Sequence, residues 1–323
     1  MIRPAEKLKT PSATRRGFLQ TTAAAATLAA TPRWATAAEG AGEQASQKIV
    51  PFRISLAEWS LHRTFGRDGQ DNLRFPQVAR EDFDLEAIEY VTAFFGGKET
   101  DAAYLADLNQ RCADHDVRSL LIMVDREGAL GDADSGKRTQ AIDNHKKWLE
   151  AAKTLGCHSI RVNAQSSGSY ADQLALAADG LGRLGEIADQ YGLNVLVENH
   201  GGLSSNGAWL AGVMRRVGRP NVGTLPDFGN FCISGRGTPD AVWYDRYQGM
   251  EDLMPFAKAV SAKSHAFDAS GEETDTDFAR VMKTVLHAGY SGYVGIEWEG
   301  GQPDEHEGIR LTKALLEKVR DAA

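Results

Sequence analysis

Four polar side chains stand at the ends of four successive apolar segments in the second half of the chain. Glu198 lies in NVLVENH (194–200), Asp227 in VGTLPDF (222–228), His265 in AVSAKSHAF (259–267) and Glu297 in YVGIEWEG (293–300). The separations are 29, 38 and 32 residues, each the length of about one strand and one crossover helix. Three carboxylates brought together without a counter-charge repel and raise one another's pKa, and a divalent cation resolves that conflict. Three oxygen donors and one imidazole suit Mn²⁺, Mg²⁺ or Co²⁺, admit Zn²⁺, and exclude metals that prefer thiolate. Singly, Asp227 would serve as well to cap the next helix, and His265 would serve as a hydrogen-bonded core histidine. Their recurrence at equivalent places on four consecutive strands argues for one shared ion.

Strand side chains alternate between faces. His200 is two residues beyond Glu198, Lys263 two before His265 and Glu299 two beyond Glu297, so each shares the inner face of its segment. His200 and Lys263 suit substrate hydroxyls or a developing oxyanion; an ion pair with a carboxylate such as Glu89 is the plainer role for Lys263. Arg161 and Asn163 share a face of CHSIRVNA (157–164), where they would bind substrate or satisfy buried carboxylates. Trp59 ends the first segment and offers a stacking platform. The long loop after the sixth segment carries Trp243, Tyr244 and Tyr247, as a lid over the site or as aromatics packing the loop down. The run DEHE at 304–307 opens the final helix, where acids are favoured, and leaves His306 in solvent.

These residues need elements to hold them. Four earlier apolar segments, FRISLAEWS (52–60), AIEYVTAFF (87–95), RSLLIMVD (118–125) and CHSIRVNA, bring the number of expected strands to eight. Helical spacing fills the intervals, as in Leu105, Leu108 and Cys112, or Ile309, Leu315, Leu316 and Val319. Eight strand–helix units match a closed (β/α)8 TIM barrel of the α/β class, whose active site gathers at the carboxyl ends of the strands. An open doubly wound sheet is the alternative. No linker, repeat or low-complexity stretch divides residues 38–323, which read as one catalytic domain.

Residues 1–37 are a different kind of polymer. Arg3, Lys7, Lys9, Arg15, Arg16 and Arg33 face the single acid Glu6, followed by the weakly apolar TTAAAATLAA and the small-residue site Ala35-Thr36-Ala37. That order is an export signal too short to span a bilayer, and TRRGFLQ resembles the twin-arginine signal read by the machinery that exports folded proteins. A periplasmic or exported location is therefore expected. Without this segment the chain keeps 30 bases and 43 acids, a net charge of −13. Such a surface repels phosphate backbones and anionic membranes, which excludes nucleic acid and stable membrane insertion as partners. Cys112, Cys157 and Cys232 are odd in number, lack CxxC spacing, and read as small buried hydrophobes.

The ordered set ENHGG, PDFGN, the histidine of KSHAFD, and GIEWEG resembles the sugar phosphate isomerase/epimerase family of xylose isomerase-like barrels, over essentially the whole of residues 38–323. The resemblance implies that Glu198, Asp227, His265 and Glu297 bind one divalent metal and that the two glutamates move the substrate proton. Many members read His-x-Lys-Asp on strand seven, whereas this chain reads His265-Ala266-Phe267-Asp268 and carries its lysine earlier, at Lys263. The related endonuclease IV branch uses further histidines for three zinc ions. Here Asn230 replaces one of them, and the net charge opposes DNA repair.

The expected chemistry is proton abstraction next to a carbonyl, giving isomerisation or epimerisation of a sugar. Export disfavours phosphorylated sugars and favours a free sugar, a keto-sugar or a glycoside. On a 3-keto-glycoside the same step would expel the aglycone by β-elimination, making the enzyme a lyase. A barrel that binds sugar without turnover is the third reading, and association into oligomers is open.

Overall fold

The computed structural model describes residues 50–67 and 71–323, which belong to one compact unit, Ile49–Ala323. The expected export signal lies outside the described residues. Among these residues eight parallel strands form one sheet: β1 (Arg53–Ala57), β2 (Ala87–Val91), β3 (Arg118–Met123), β4 (Ser159–Val162), β5 (Asn194–Glu198), β6 (Val222–Leu225), β7 (Val260–Ser264) and β8 (Tyr293–Trp298). Each is followed by a helix: α1 (Phe75–Phe83), α2 (Ala102–Asp114), α3 (Ser135–Thr154), α4 (Tyr170–Tyr191), α5 (Gly207–Val217), α6 (Arg246–Leu253), α7 (Phe278–His287) and α8 (Glu305–Ala322).

The strands neighbour one another in chain order, and β1 also pairs with β8, as a closed barrel requires. The seam between β6 and β7 differs from the others. It is held by isolated bridges, Thr224 with Ala257 and Asp227 with Ser261, and not by a continuous ladder. Pro226 explains this, because it has no N–H to donate and ends the strand at Leu225; its carbonyl still accepts from Ser261 N at 2.9 Å.

Strands buried on both faces read as nearly continuous apolar runs, and the two faces serve different purposes. Outward residues such as Ile88, Tyr90, Ile160, Val195, Val260 and Ile296 pack with the helices in the main core. Inward residues form a small apolar plug of Ala57, Val91, Leu121, Met123, Leu196, Leu225 and Ala259. The remaining inward positions are polar, and they form the site. Helices are started by short polar caps: Asp101, Asp134, Ser169, Asn206, Asp245, Asp277 and Asp304 each accept a backbone N–H of the first turn. The three cysteines are free and buried, as their sequence setting implied.

Helix α4 approaches the barrel loops closely enough to fix one glycine. A Cβ on Gly180 would lie 1.8 Å from the Leu130 carbonyl oxygen, a backbone atom that cannot yield, whereas one on Gly182 meets nothing within 4 Å. Gly180→Ala should lower stability by about 1–3 kcal/mol through overpacking. Gly182→Ala in the same helix should raise it by about 0.5–1 kcal/mol through helix propensity. Urea midpoints of the two variants check this; equal effects would contradict the described approach of α4.

Candidate functional site

The polar positions inside the barrel are largely acidic. Glu89 on β2 accepts Ser55 Oγ at 2.6 Å, and Gly295 on β8 leaves it room, since a Cβ there would lie 2.6 Å from Glu89 Oε1. Burial, with Glu297 and Glu198 nearby, pushes the Glu89 carboxyl up to about 7. Above it, Glu198, Asp227 and Glu297 bring carboxylate oxygens within 4.8 Å of one another, all buried.

Their partners are defined. Glu297 Oε1 accepts Lys263 Nζ at 2.8 Å, across a register in which Glu297 and Lys263 are paired. Lys263 Nζ also donates to Glu299 Oε2 at 2.9 Å. Asp227 Oδ1 accepts the amides of Gly229 and Asn230, each at 2.8 Å. Asn199 straps the ends of β5 and β6 together: its Oδ1 accepts Asp227 N at 2.7 Å, and its Nδ2 donates to Asp227 O at 3.0 Å. Glu198 Oε1 accepts Asn230 Nδ2 at 2.8 Å. Its Oε2 faces Arg161 Nε at 2.8 Å without hydrogen-bond alignment and has no other partner.

Electrostatics follow from burial and these pairs. Burial raises the Glu297 carboxyl, but Lys263 outweighs it and holds the group below its ordinary value. Glu299 is likewise raised by burial and pulled down by Lys263, to about 2. Burial pushes Asp227 up against the opposing pull of Lys263. Desolvation disfavours the Lys263 ammonium, yet the surrounding carboxylates hold it well above the usual lysine range. Ser261 shows that the cluster is short of positive charge. Its Oγ lies 2.8 Å from both Asp227 Oδ2 and Glu297 Oε2 but has one hydrogen to give. A proton on Asp227 or a cation between the carboxylates answers that shortage. Three buried carboxylates with an orphaned Glu198 oxygen fit a hard divalent ion.

His265 is not brought into this group. It lies one residue beyond β7, where alternation has stopped because Glu273 Oε1 accepts the amides of His265 and Ala266, at 3.1 and 3.4 Å. The ring groups with Glu273 and Asp275, and its Nε2 is 3.8 Å from Glu299 Oε2. Burial and then Lys263 hold the imidazole below its ordinary pKa, so it is neutral at pH 7.

A cavity of about 670 Å³ opens at the carboxyl ends of the strands, lined by Trp59, Arg161, His200, Lys263, Glu297 and Glu299 among others. Glu198 and Asp227 are fully buried and do not line it. Trp59 donates its indole N–H to Glu299 Oε1 at 3.0 Å. Lys263 pairs with Glu297 and Glu299 instead of Glu89. Arg161 and Asn163 both donate to Asp125 Oδ1, at 2.8 and 2.7 Å. Asp125 therefore joins the site from the end of β3, a position whose only sequence signal was its place at a strand end. The aromatics of the sixth loop do not line the cavity. Tyr244 donates to Asp252 Oδ2 at 2.7 Å, Tyr247 Oη accepts Asp277 N at 3.2 Å, and Trp243 is exposed on a short ribbon, Cys232–Ser234 with Val242–Trp243. The two tyrosines pack the loop down. His306, expected in solvent, is half-buried, with Nδ1 3.6 Å from Asp82.

Residues 78–319 match the family described as xylose isomerase-like TIM barrel, and the chain belongs to that family. A stretch of 76 residues, 23% of the chain, is 34% identical to the alpha subunit of a 3'-dehydrocarminate deglycosidase from a Microbacterium species. That match spans 22% of the relative's length, about a fifth. Among solved structures, a 3-keto-D-glucoside 4-epimerase from E. coli superposes with a TM-score of 0.60 at 16% identity, over 77% of this chain and 95% of that one. The IolI protein with a bound zinc atom gives 0.63 at 17% identity, over 84% and 99%. At these identities the structural likeness shows the fold.

The charge arrangement is open to a direct check. Lys263→Met strands the carboxylates, and loss of one partner of a buried pair costs about 3–5 kcal/mol. In that variant the carboxyl groups have native pKa values above their unfolded ones, so the native state keeps protons that the unfolded chain has released. Stability of Lys263→Met should therefore rise as pH falls from 8 towards the unfolded carboxyl value. Chemical denaturation across that range reads it; wild-type stability at pH 8 would contradict the pairing.

Proposed function

We propose that the protein is a divalent-metal-dependent enzyme that removes a proton from the carbon beside a sugar carbonyl and returns it, acting as an isomerase or epimerase. The observation that carries this reading is the convergence of Glu198, Asp227 and Glu297 beside Lys263, beneath and in the wall of one cavity. Those three carboxylates would hold the ion; His265, the fourth ligand the sequence singled out, groups with Glu273 and Asp275 instead. When bound, a divalent ion such as Mn²⁺, Mg²⁺, Co²⁺ or Zn²⁺ supplies Lewis-acid polarisation of the carbonyl.

The side chains do the rest. Glu297 lines the cavity and stays ionised beside Lys263, so it takes the proton from carbon, and the released electron pair moves onto the carbonyl oxygen. Lys263 and Arg161 supply positive charge for the oxyanion that develops. Return of a proton to the other face or the neighbouring carbon completes epimerisation or isomerisation; Glu198, the second acid/base group of the sequence reading, lies beneath the cavity and not in its wall. Trp59 gives the sugar ring an apolar face, while His200 and Glu299 bind its hydroxyls. We read residues 1–37 as a twin-arginine signal. A periplasmic or exported enzyme would meet free sugars, keto-sugars or glycosides.

A second reading is favoured by the similarity to the deglycosidase alpha subunit. On a 3-keto-glycoside, the electron pair left by proton removal at C2 expels the aglycone from C1, and the departing oxygen takes up a proton. The same residues then perform β-elimination.

Solvent deuterium incorporation at the substrate carbon tests the reading on a panel of free sugars, keto-sugars and 3-keto-glycosides. Wild-type protein should exchange with metal present and cease when chelated. Glu297→Gln should lose about 10²- to 10⁴-fold of that rate. Aglycone release distinguishes the lyase from the epimerase. Wild-type exchange by Glu297→Gln, or sugar binding without any exchange in metal-replete protein, would overturn the proposal.

A further inference from the structure

The cavity is longer than the proposed proton transfer requires. At about 670 Å³ it falls in the range that holds drug-sized ligands, while Glu297, Lys263 and Glu299 occupy one end. The other end spreads between the loops after β2 and β3 and reaches α3, where Glu99, Glu127, Lys147 and Trp148 line it. Lys147 Nζ bridges Glu99 Oε1 at 2.9 Å and Glu127 Oε1 at 3.0 Å. Trp148 Nε1 donates to the same Glu127 oxygen at 2.7 Å. Partial burial raises the Glu99 carboxyl, but hydrogen bonds, including one from Lys147, prevail and hold it below its ordinary value.

This wall is polar and nearly neutral. Lys147 and the exposed Arg126 balance Glu99 and Glu127, so the branch does not select for a charged group. Lys147 and Trp148 both engage Glu127 Oε1, which leaves Oε2 as an acceptor. Carboxylate acceptors and an ammonium donor along an open wall suit hydroxyl groups.

We propose that this branch is a second binding subsite that receives a hydroxyl-bearing ring attached to the reacting sugar, either a second sugar or a phenol. The substrate class is then a keto-glycoside and not a free monosaccharide. The inference rests on the proton-transfer reading above, because that reading places the reacting sugar at the Glu297 end.

Steady-state kinetics with metal-loaded protein compare methyl 3-keto-glucoside with 3-keto-glucosides carrying glucose or hydroxyphenyl at C1. The two-ring substrates should show kcat/KM at least about ten-fold higher through lower KM, the scale of one or two well-placed polar contacts. Lys147→Met and Glu127→Gln, both checked for wild-type melting, should each cut that preference to roughly three-fold or less. The better of the two rings identifies the attached group. Equal kcat/KM for one- and two-ring substrates, or a preference that survives both substitutions, overturns the subsite and leaves the proton-transfer reading standing. Turnover of none of the three overturns the subsite and its substrate class, while the proton-transfer reading is judged separately by deuterium exchange on the wider panel.

Discussion

Everything in this barrel depends on keeping Glu198, Asp227 and Glu297 buried within 4.8 Å of one another. Isolated charges in a protein interior cost several kcal/mol each, and like charges at this range add repulsion. Lys263 and Arg161 supply two positive charges from β7 and β4, and Ser261 shares one hydrogen between two acids. Burial pushes the Glu89 carboxyl up to about 7, so that it carries only part of a charge near neutrality. What remains is a buried negative centre whose three carboxylates fit a divalent ion.

The scaffold makes that concentration tolerable by fixing it. Outward apolar residues bond the strands to the helical layer, so inward positions are free to be polar without loss of the core. Register places Glu297 opposite Lys263, and Asn199 locks the strand ends that carry Glu198 and Asp227. A site on strand ends held this way needs little reorganisation when charge develops, the condition under which electrostatic stabilisation is largest.

Much of this was legible in the amino-acid order because the barrel converts sequence spacing into position. Apolar runs alternating with helical intervals revealed the eight units, and polar residues at their ends marked Glu198, Asp227 and Glu297. His265 resisted the same logic, since Glu273 captures its backbone and the strand alternation stops one residue earlier. Lys263 makes the ion pair with a barrel carboxylate that its plainer role implied, but with Glu297 and Glu299 and not Glu89, because sequence shows which face a residue takes but not its height along the barrel. Glu127, Lys147 and Trp148 were not foreseen. They meet the cavity from a loop and the flank of α3, where nothing in their spacing sets them apart from an ordinary solvated helix face.

X-ray diffraction from crystals grown with Mn²⁺ or Zn²⁺, with anomalous data at the absorption edge, tests the central claim most directly. One strong peak per chain is predicted, bonded to carboxylate oxygens of Glu198, Asp227 and Glu297 at about 2.0–2.2 Å. A map with no peak among these carboxylates, or a peak bound elsewhere while Lys263 remains their sole counter-charge from β7, would contradict it.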